Sequence, residues 1–325
     1  MKIGNRTPVG AKRRTNKYSQ SPFQILVCNV DGYTLSSATA FYFETDGKWF
    51  LITNWHVVSG RNFLTGEALV GGGEPLSLNL KLATYVEDDC EDGEWMVAPH
   101  SMALFEGENP VWLEHPSLER WCDVVAIPTE RPDICPRSMH NAVNLIDTSP
   151  ISNIPIKPGG DVFIIGFPQS ISVGFGLPLW KSGYIASEPH YDIVVDGEVW
   201  EYGGMKSGTR LPAFFVDAQT RKGMSGAPVF ARYIGVWDTR DPYTHTNANA
   251  LVADLIEQPA EFFESDDADK LAIAAGVRFV GCYSGRIVGD NAAEAGLGLC
   301  WREEVIEMIC RQGKPGKNPH ISYLS

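Results

Sequence analysis

Several features that define other protein classes are missing from this sequence of 325 residues. No apolar run reaches the roughly 18 residues that a membrane-spanning helix needs, and no apolar stretch of signal-peptide length follows the N-terminus. None of the seven cysteines forms a Cys-x-x-Cys pair, so nothing indicates a zinc site. Their odd number and irregular spacing are more typical of reduced thiols than of a disulfide framework. We therefore expect a soluble, cytoplasmic protein with no membrane association, no metal and no cofactor.

Basic residues are also few. The chain has 27 lysines and arginines against 40 aspartates and glutamates, a net charge of −13. A general nucleic-acid binder needs a basic face, so we expect no nucleic-acid partner. One local exception is the segment 1–17, in which every charged residue is basic. We expect residues 1–20 to form a disordered basic tail.

Helical periodicity is sparse and late in the chain. Arg302–Arg311 predicts a helix, with acids early and Arg311 at its end, and Asn249–Phe263 and Ala268–Ala275 are weaker helical candidates. Short apolar runs broken by Gly, Pro, Asn and Asp are far more common and predict strands. Many short strands with a terminal helix are typical of an all-β sandwich or pair of barrels. The predicted strands are Phe23–Val30, Ala40–Phe43, Trp49–Thr53, Val124–Ile127, Val162–Gly166, Ile193–Val195, Phe214–Val216, Pro228–Phe230 and Val277–Cys282.

Three short stretches carry residues suited to chemistry. In the first, FLITNWHVVS, an apolar strand is followed at once by His56, whose near-neutral pKa would suit a general base. In the second, WCDVVAIP, Asp123 heads an apolar strand and would need a partner if buried. Each of these stretches alone has an ordinary explanation, a structural histidine or a strand-initiating aspartate.

The third stretch, KGMSGAPVF, places Ser225 between two glycines. Glycines allow a sharp turn that can bring main-chain N–H groups toward one ligand oxygen, although an ordinary glycine-rich turn would look the same. A serine hydroxyl needs a base to become a nucleophile, and that base needs a third group to orient it. The three stretches together supply these roles in the order His56, Asp123 and Ser225.

These stretches resemble the three signatures of the chymotrypsin-fold serine proteases, the trypsin-like peptidases, over about Phe23 to Arg311. The resemblance implies that His56 is the general base, that Asp123 orients it and that Ser225 is the nucleophile, with the N–H groups of Gly223 and Ser225 as the oxyanion hole. It implies an all-β fold of two six-stranded antiparallel barrels, with a C-terminal helix. The lack of paired cysteines makes the intracellular bacterial or viral type the closer resemblance.

The domain organisation follows from the same resemblance. After the tail, an N-terminal barrel would span residues 21–155 and a C-terminal barrel residues 156–325, joined near the Pro/Gly-rich stretch Pro150–Gly160. The family's pocket strand resembles Phe279–Ile287 (FVGCYSGRI), with Tyr233–Trp237 as the competing choice. With the first choice, residues 231–276 become a partly helical insertion, and the C-terminal helix covers residues 302–311.

The resemblance also assigns the substrate pocket. It places Ser284 near Asp123, and it places Tyr283 to Arg286 along the substrate backbone. No acid stands at the base of the pocket, so a preference for Arg or Lys is not implied. A partial likeness to glutamyl endopeptidases would let Thr220 contact an acidic side chain, although those enzymes have a histidine at the place of Tyr283. The pocket candidates are Gln219, Thr220, Lys222, Tyr283, Ser284 and Arg286.

The predicted function is that of a serine endopeptidase acting on a protein or peptide, with a regulatory protein partner as a further expectation. An aspartate that usually precedes the serine in members activated by cleavage is replaced by Met224, so activity should not require N-terminal processing. One alternative is a catalytically silent, protease-like binding module. Another is an α/β-hydrolase esterase, but that fold needs its histidine after the serine and a glycine where Ala227 stands.

Overall fold

The computed structural model describes residues 15–69, 73–86, 94–130, 140–146, 156–195, 205–238, 256–258, 260–261, 271–286 and 297–321. These residues are mostly in β-strands, and every pair of neighbouring strands among them is antiparallel. The parallel sheet of an α/β-hydrolase is therefore not the fold of this part of the chain. No helix in these ranges is both long and apolar enough to cross a membrane.

The N-terminal half forms an eight-stranded sheet with the order β18-β8-β9-β3-β2-β1-β4-β5. Its central strands are short apolar runs with β-branched and aromatic side chains, as a strand buried on its inner face requires. The strands of this half, including the small hairpin β6–β7, are β1 (Pro22–Cys28), β2 (Thr34–Thr45), β3 (Lys48–Thr53), β4 (Ser77–Val86), β5 (Glu94–Ala103), β6 (Phe105–Glu106), β7 (Asn109–Pro110), β8 (Leu113–Glu114) and β9 (Val125–Thr129).

The C-terminal half forms a closed six-stranded barrel with the order β10-β11-β14-β17-β16-β15. A separate two-stranded ribbon, β12–β13, accompanies it, and β18 returns to the N-terminal sheet. The strands are β10 (Asp161–Gly166), β11 (Leu179–Ile185), β12 (Ile193–Val194), β13 (Arg210–Leu211), β14 (Ala213–Ala218), β15 (Pro228–Asp238), β16 (Leu271–Arg286), β17 (Leu297–Arg302) and β18 (Lys314–Pro315).

Helices are short and lie at the ends of strands. Helix α1 (Trp55–Ser59) follows β3, and helix α2 (Glu303–Gln312) follows β17, while single 3-10 turns occur at Lys17–Gln20, Val143–Leu145 and Pro168–Ser170. Helix α2 confirms the helix predicted at 302–311. It buries Val305, Ile306, Ile309 and Cys310, and this spacing places them on one face of an amphipathic helix.

Aromatic side chains join the two halves. The rings of Phe41 from β2 and Phe279 from β16 meet edge to face at 5.6 Å, and Phe230 from β15 meets Phe279 at 5.8 Å. All three are buried, in a cluster that also contains the buried face of α2. Burial of this apolar area, at roughly 25 cal/mol per Å², stabilises the arrangement of sheet and barrel, between which the candidate site lies.

Three features differ from the sequence-based expectations. The N-terminal half was expected to form a six-stranded barrel. Its strands, as far as they are described, form an open sheet, in which β18 lies at one edge and β5 at the other. The predicted helix at 268–275 is wrong for residues 271–275, which belong to β16. There they pair with the end of β15 in a long hairpin, from Asp238 opposite Leu271 to Arg232 opposite Val277, so this part of the predicted insertion extends the barrel. The candidate helix at 249–263 lies mostly outside the described residues.

The predicted tail is the third difference. Residues 1–14 lie outside the described part of the chain, but residues 17–20 are folded as a 3-10 turn that Asn16 caps through the backbone N–H of Tyr18. Tyr18 is buried, and its ring lies 5.1 Å from that of Phe230. The expected disorder is therefore wrong at the end of the 1–20 segment, because one aromatic side chain attaches it to the core.

Candidate active site

His56 lies at the start of α1, directly after the buried strand β3. Asn54 is the N-cap, in an extended conformation, and Gly60 ends the helix in the left-handed conformation at φ 67°, where glycine is favoured. The N–H of Gly60 donates to the carbonyl of His56 at 3.1 Å. Because His56 directly follows a buried strand, its backbone is held in place. The imidazole is 17% exposed, so part of the ring reaches solvent.

Asp123 is fully buried and is held by donors from two segments, the start of α1 and β16. One carboxylate oxygen, Oδ1, accepts the backbone N–H of His56 at 2.8 Å, and Oδ2 lies 2.6 Å from Nδ1 of the imidazole. Ser284 donates its hydroxyl to Oδ2, and Asn54 donates its side-chain amide to the Asp123 carbonyl at 2.7 Å. A buried carboxylate requires such donors. Because an ionised carboxylate only accepts, this contact favours the His56 tautomer with its proton on Nδ1 and a lone pair on Nε2.

Ser225 lies in a turn whose glycines cannot be replaced freely. Gly223 and Gly226 have φ values of 95° and 80°, and a methyl group on either would collide with a backbone oxygen, that of Phe167 at 2.3 Å or that of Thr39 at 2.2 Å. The carbonyl of Ser225 accepts the N–H of Thr39 at 2.9 Å. The nucleophile candidate is therefore pressed against β2 of the other half of the molecule.

Two backbone N–H groups in the turn of Ser225 have no backbone acceptor in the part of the chain that the structure describes. Within the described residues, neither the N–H of Gly223 nor that of Ser225 donates to a protein acceptor. The carbonyl of the preceding residue, Lys222, accepts the N–H of Gln169 at 2.6 Å. In a trans peptide the carbonyl and the N–H point in opposite directions, so this contact turns the Gly223 N–H away from Gln169.

The remaining contacts bring Ser225 to the same cleft as the other two residues. A methyl group on Gly285 would lie 3.8 Å from Oγ of Ser225, and the neighbouring residue Ser284 is the one that bonds Asp123. In the described part of the chain no hydrogen bond joins Ser225 to His56. Such bonds are often long without substrate and shorten when it binds.

The predicted pocket residues differ in their burial. Thr220 and Tyr283 are buried, and their hydroxyls lie 2.5 Å apart. The ring of Tyr283 also lies against Gly298 of β17, where a methyl group would come within 2.4 Å of it. Gln219 and Lys222 are exposed, and the side chain of Arg286 lies outside the described residues. Tyr283 is joined to the turn of Ser225 through its backbone, because its carbonyl accepts the N–H of Gly226 at 2.9 Å.

The contact of Ser284 with Asp123 bears on the choice of pocket strand. Ser284 belongs to β16, as does the whole described part of Phe279–Ile287, whereas Tyr233–Trp237 belongs to β15. The contact therefore favours 279–287. Two histidines outside the site have ordinary surroundings: His115 accepts two backbone N–H groups, and buried His140 bonds the carbonyl of Gln20.

Sequence reasoning missed several residues that build this site. Thr39 accepts the N–H of Phe167 at 3.2 Å and donates to the carbonyl of Gly223 at 2.8 Å, so one hydroxyl joins both loops near Ser225. Gln169 and Glu114, which contacts Trp55, were also missed. No motif marks these residues, because each acts through partners far away in the chain.

Residues 38–236 match the family model described as a trypsin-like peptidase domain. No curated protein matches the chain. Among solved structures, the Rv3671c protease from M. tuberculosis in its active form is 13% identical, with 93% of this chain and 85% of that chain covered and a TM-score of 0.41. The inactive form of the same protease is 15% identical, covers 91% of each chain and has a TM-score of 0.39.

Proposed function

Because this chain belongs to the trypsin-like peptidase family and is a serine protease, we propose that it is an endopeptidase that acts through His56, Asp123 and Ser225. The observation that carries the proposal is the double contact of Asp123 with His56, at 2.8 Å to the backbone N–H and 2.6 Å to Nδ1. It supports an imidazole held with Nε2 ready to accept a proton. We also propose that the N-terminal sheet takes the place of the family's first barrel.

The reaction would proceed in two halves. His56 removes the proton from Ser225 Oγ as that oxygen attacks the substrate carbonyl, and the resulting oxyanion is bound by the N–H groups of Gly223 and Ser225. His56 then gives its proton to the leaving amine, and the acyl group stays on Ser225. Water then attacks this acyl-enzyme, with His56 again as the base. The acid product leaves, and His56 returns the proton to Oγ of Ser225.

Met224 supports an enzyme that needs no N-terminal processing. Its side chain is fully buried in the barrel core, with its sulfur near Gly166. An apolar side chain at this place offers no charge for a newly freed N-terminus to pair with. We therefore propose that the turn around Ser225 adopts its active shape in the unprocessed chain.

The pocket supports a substrate with a short side chain before the scissile bond. Tyr283 bonds the turn of Ser225 through the N–H of Gly226, and its hydroxyl contacts that of Thr220, so both neighbours of this turn are neutral. Acidic specificity has less support, since the hydroxyl of Thr220 already has Tyr283 as its partner and Lys222 is exposed. Cytoplasmic localisation stays part of the proposal and is supported by the five described cysteines, which are all free and buried.

A fluorophosphonate probe tests the central proposal. We expect it to label Ser225 in the full chain and to lose that labelling in His56→Ala and in Ser225→Ala. A folded protein that is not labelled would instead indicate the alternative, a protease-like module that binds proteins without cleaving them. The proteins cut by the wild type but not by Ser225→Ala would identify the natural substrate and any regulatory partner.

A further inference from the structure

Glu114 is a buried carboxylate outside the cleft, and it is only 3% exposed. One of its oxygens, Oε1, accepts three N–H groups from three segments: the indole of Trp55 at 3.0 Å, the indole of Trp112 at 3.0 Å and the backbone of Lys317 at 3.3 Å. A buried charge is costly unless such donors compensate it. Nothing in the proposed reaction uses this group, so its retention calls for another explanation.

The first of these donors belongs to the helix that carries His56. Trp55 precedes His56 directly, and both lie in the first turn of α1, which is five residues long. A helix this short has no stability of its own, and the side chain of its N-cap Asn54 makes no capping hydrogen bond. The position of α1 therefore depends on contacts with its surroundings, which include the two contacts of Asp123 with His56 and the contact of Glu114 with Trp55.

The other donors fix Glu114 itself. Lys314 of β18 pairs with Glu114 of β8, and the N–H of Gly316 donates to the carbonyl of Trp112 at 2.8 Å. A methyl group on Gly316 would lie 2.3 Å from the indole nitrogen of Trp112, so the returning chain lies flat on that ring. The carboxylate is thus held by the C-terminal segment from one side and holds Trp55 on the other.

We propose that Glu114 is a positioning residue for His56, acting through the indole N–H of Trp55, an inference that rests on the proposed function. Asp123 holds the ring and the backbone N–H of His56, while Glu114 holds the Trp55 side of α1, and the two together set how close α1 lies to Ser225. Loss of the contact lets α1 shift by a fraction of an ångström. Proton transfer from Ser225 depends steeply on that distance, whereas substrate binding does not.

A pair of matched variants tests this role. Trp55→Phe and Trp112→Phe each remove one indole N–H from the same oxygen, but only the first touches α1. We expect Trp55→Phe to lower kcat about 10- to 100-fold with little change in KM, a size typical of small misplacements of a catalytic group. Trp112→Phe should lower the unfolding midpoint and should lower kcat less than Trp55→Phe does, because it leaves the contact between Glu114 and Trp55 in place. Glu114→Gln, which keeps an acceptor oxygen, should retain most of the activity that Glu114→Ala loses.

The NMR signal of the His56 Nδ1 proton supplies a readout that does not depend on turnover. It should move or broaden in Trp55→Phe and should change less in Trp112→Phe. Equal losses of kcat in the two variants, or an unchanged His56 signal in Trp55→Phe, would overturn the positioning role. If the wild type fails to label with a fluorophosphonate while the His56 signal responds as expected, the proposed protease mechanism fails and the positioning of His56 stands.

Discussion

Asp123 contacts His56 twice, once at the backbone and once at the ring, and each contact uses a different carboxylate oxygen. The distances are 2.8 Å to the backbone N–H and 2.6 Å to Nδ1. A single contact would leave the imidazole free to rotate about it, whereas two contacts set both the start of α1 and the orientation of the ring. The carboxylate is fully buried, so water cannot compete for either donor.

Asp123→Asn should abolish most activity while leaving the fold nearly intact. The amide keeps the shape of the carboxylate but presents N–H groups on one side, so it disfavours the Nδ1-protonated tautomer of His56. We expect kcat to fall by about 10⁴-fold, with a small change in KM. The measurement is kcat on a cleaved peptide together with a circular dichroism melt. A loss below about tenfold would contradict the role given to Asp123.

Gly223→Ala should slow the labelling of Ser225 by a fluorophosphonate about 10²- to 10³-fold. The new methyl group would lie 2.3 Å from the carbonyl oxygen of Phe167, at a φ of 95°, so the turn must move and the N–H of Gly223 moves with it. Loss of one oxyanion donor costs about 10²- to 10³-fold in rate. Labelling rates measured below the unfolding midpoint test this expectation.

Gly208→Ala is the matched control for Gly223→Ala. Its φ is 82°, and a methyl group there would meet nothing within 4 Å. The backbone strain is therefore similar, roughly 1 kcal/mol, but no neighbour is displaced. Equal labelling rates in the two variants would show that crowding at Phe167 does not matter.

Tyr283→Val should widen the substrate pocket. The ring of Tyr283 lies against Gly298 and its hydroxyl contacts Thr220, so its removal opens space behind Ser225. We expect the wild type to cleave after short side chains in a peptide library and Tyr283→Val to accept larger ones. Tyr283→Phe keeps the ring and should keep the size preference, while removing one hydroxyl partner of Thr220. An unchanged profile in Tyr283→Val would exclude the ring as a wall of the pocket.

Glu303 should make the protein less stable as the pH rises. Burial raises its pKa from 4.5 to about 7, against the opposing effect of Arg278. Between about pH 4.5 and 7 the folded chain therefore binds more protons than the unfolded chain, and the free energy of unfolding falls with pH through that window. The loss is at most about 3 kcal/mol. Glu303→Gln should remove it, as measured by urea unfolding at pH 5 and pH 8.

Glu304→Gln provides the control for the pH experiment. Glu304 lies in the same first turn of α2 but is exposed, so its replacement removes one negative charge without changing a buried group. It should reduce the pH dependence of unfolding only slightly, because the charge of Glu304 contributes less than burial to the raised pKa of Glu303. A pH dependence that persists in Glu303→Gln would assign the effect to another group.

The local parts of this protein were predictable from the sequence. The candidates His56, Asp123 and Ser225 each lie in a short run of consecutive residues that predicts its own local structure. These runs are an apolar strand next to a polar residue, or a serine between two glycines. The strands Trp49–Thr53 and Val162–Gly166 and the helix at 302–311 were predicted within one residue of their observed ends, because short apolar runs and one amphipathic face determine them. The match to the trypsin-like peptidase family follows from the same local order of residues.

The parts that depend on distant contacts were decided only by the tertiary structure. Ser284 and Asp123 are 161 residues apart, Lys317 and Glu114 203 residues, and Thr220 and Tyr283 63 residues. The extension of the barrel by residues 271–275 has the same origin, since pairing with β15 overrides a weak helical pattern. Hydrogen bonds of this kind arise from how the sheet and the barrel pack together. The sequence around one partner contains no pattern that predicts which distant residue is the other.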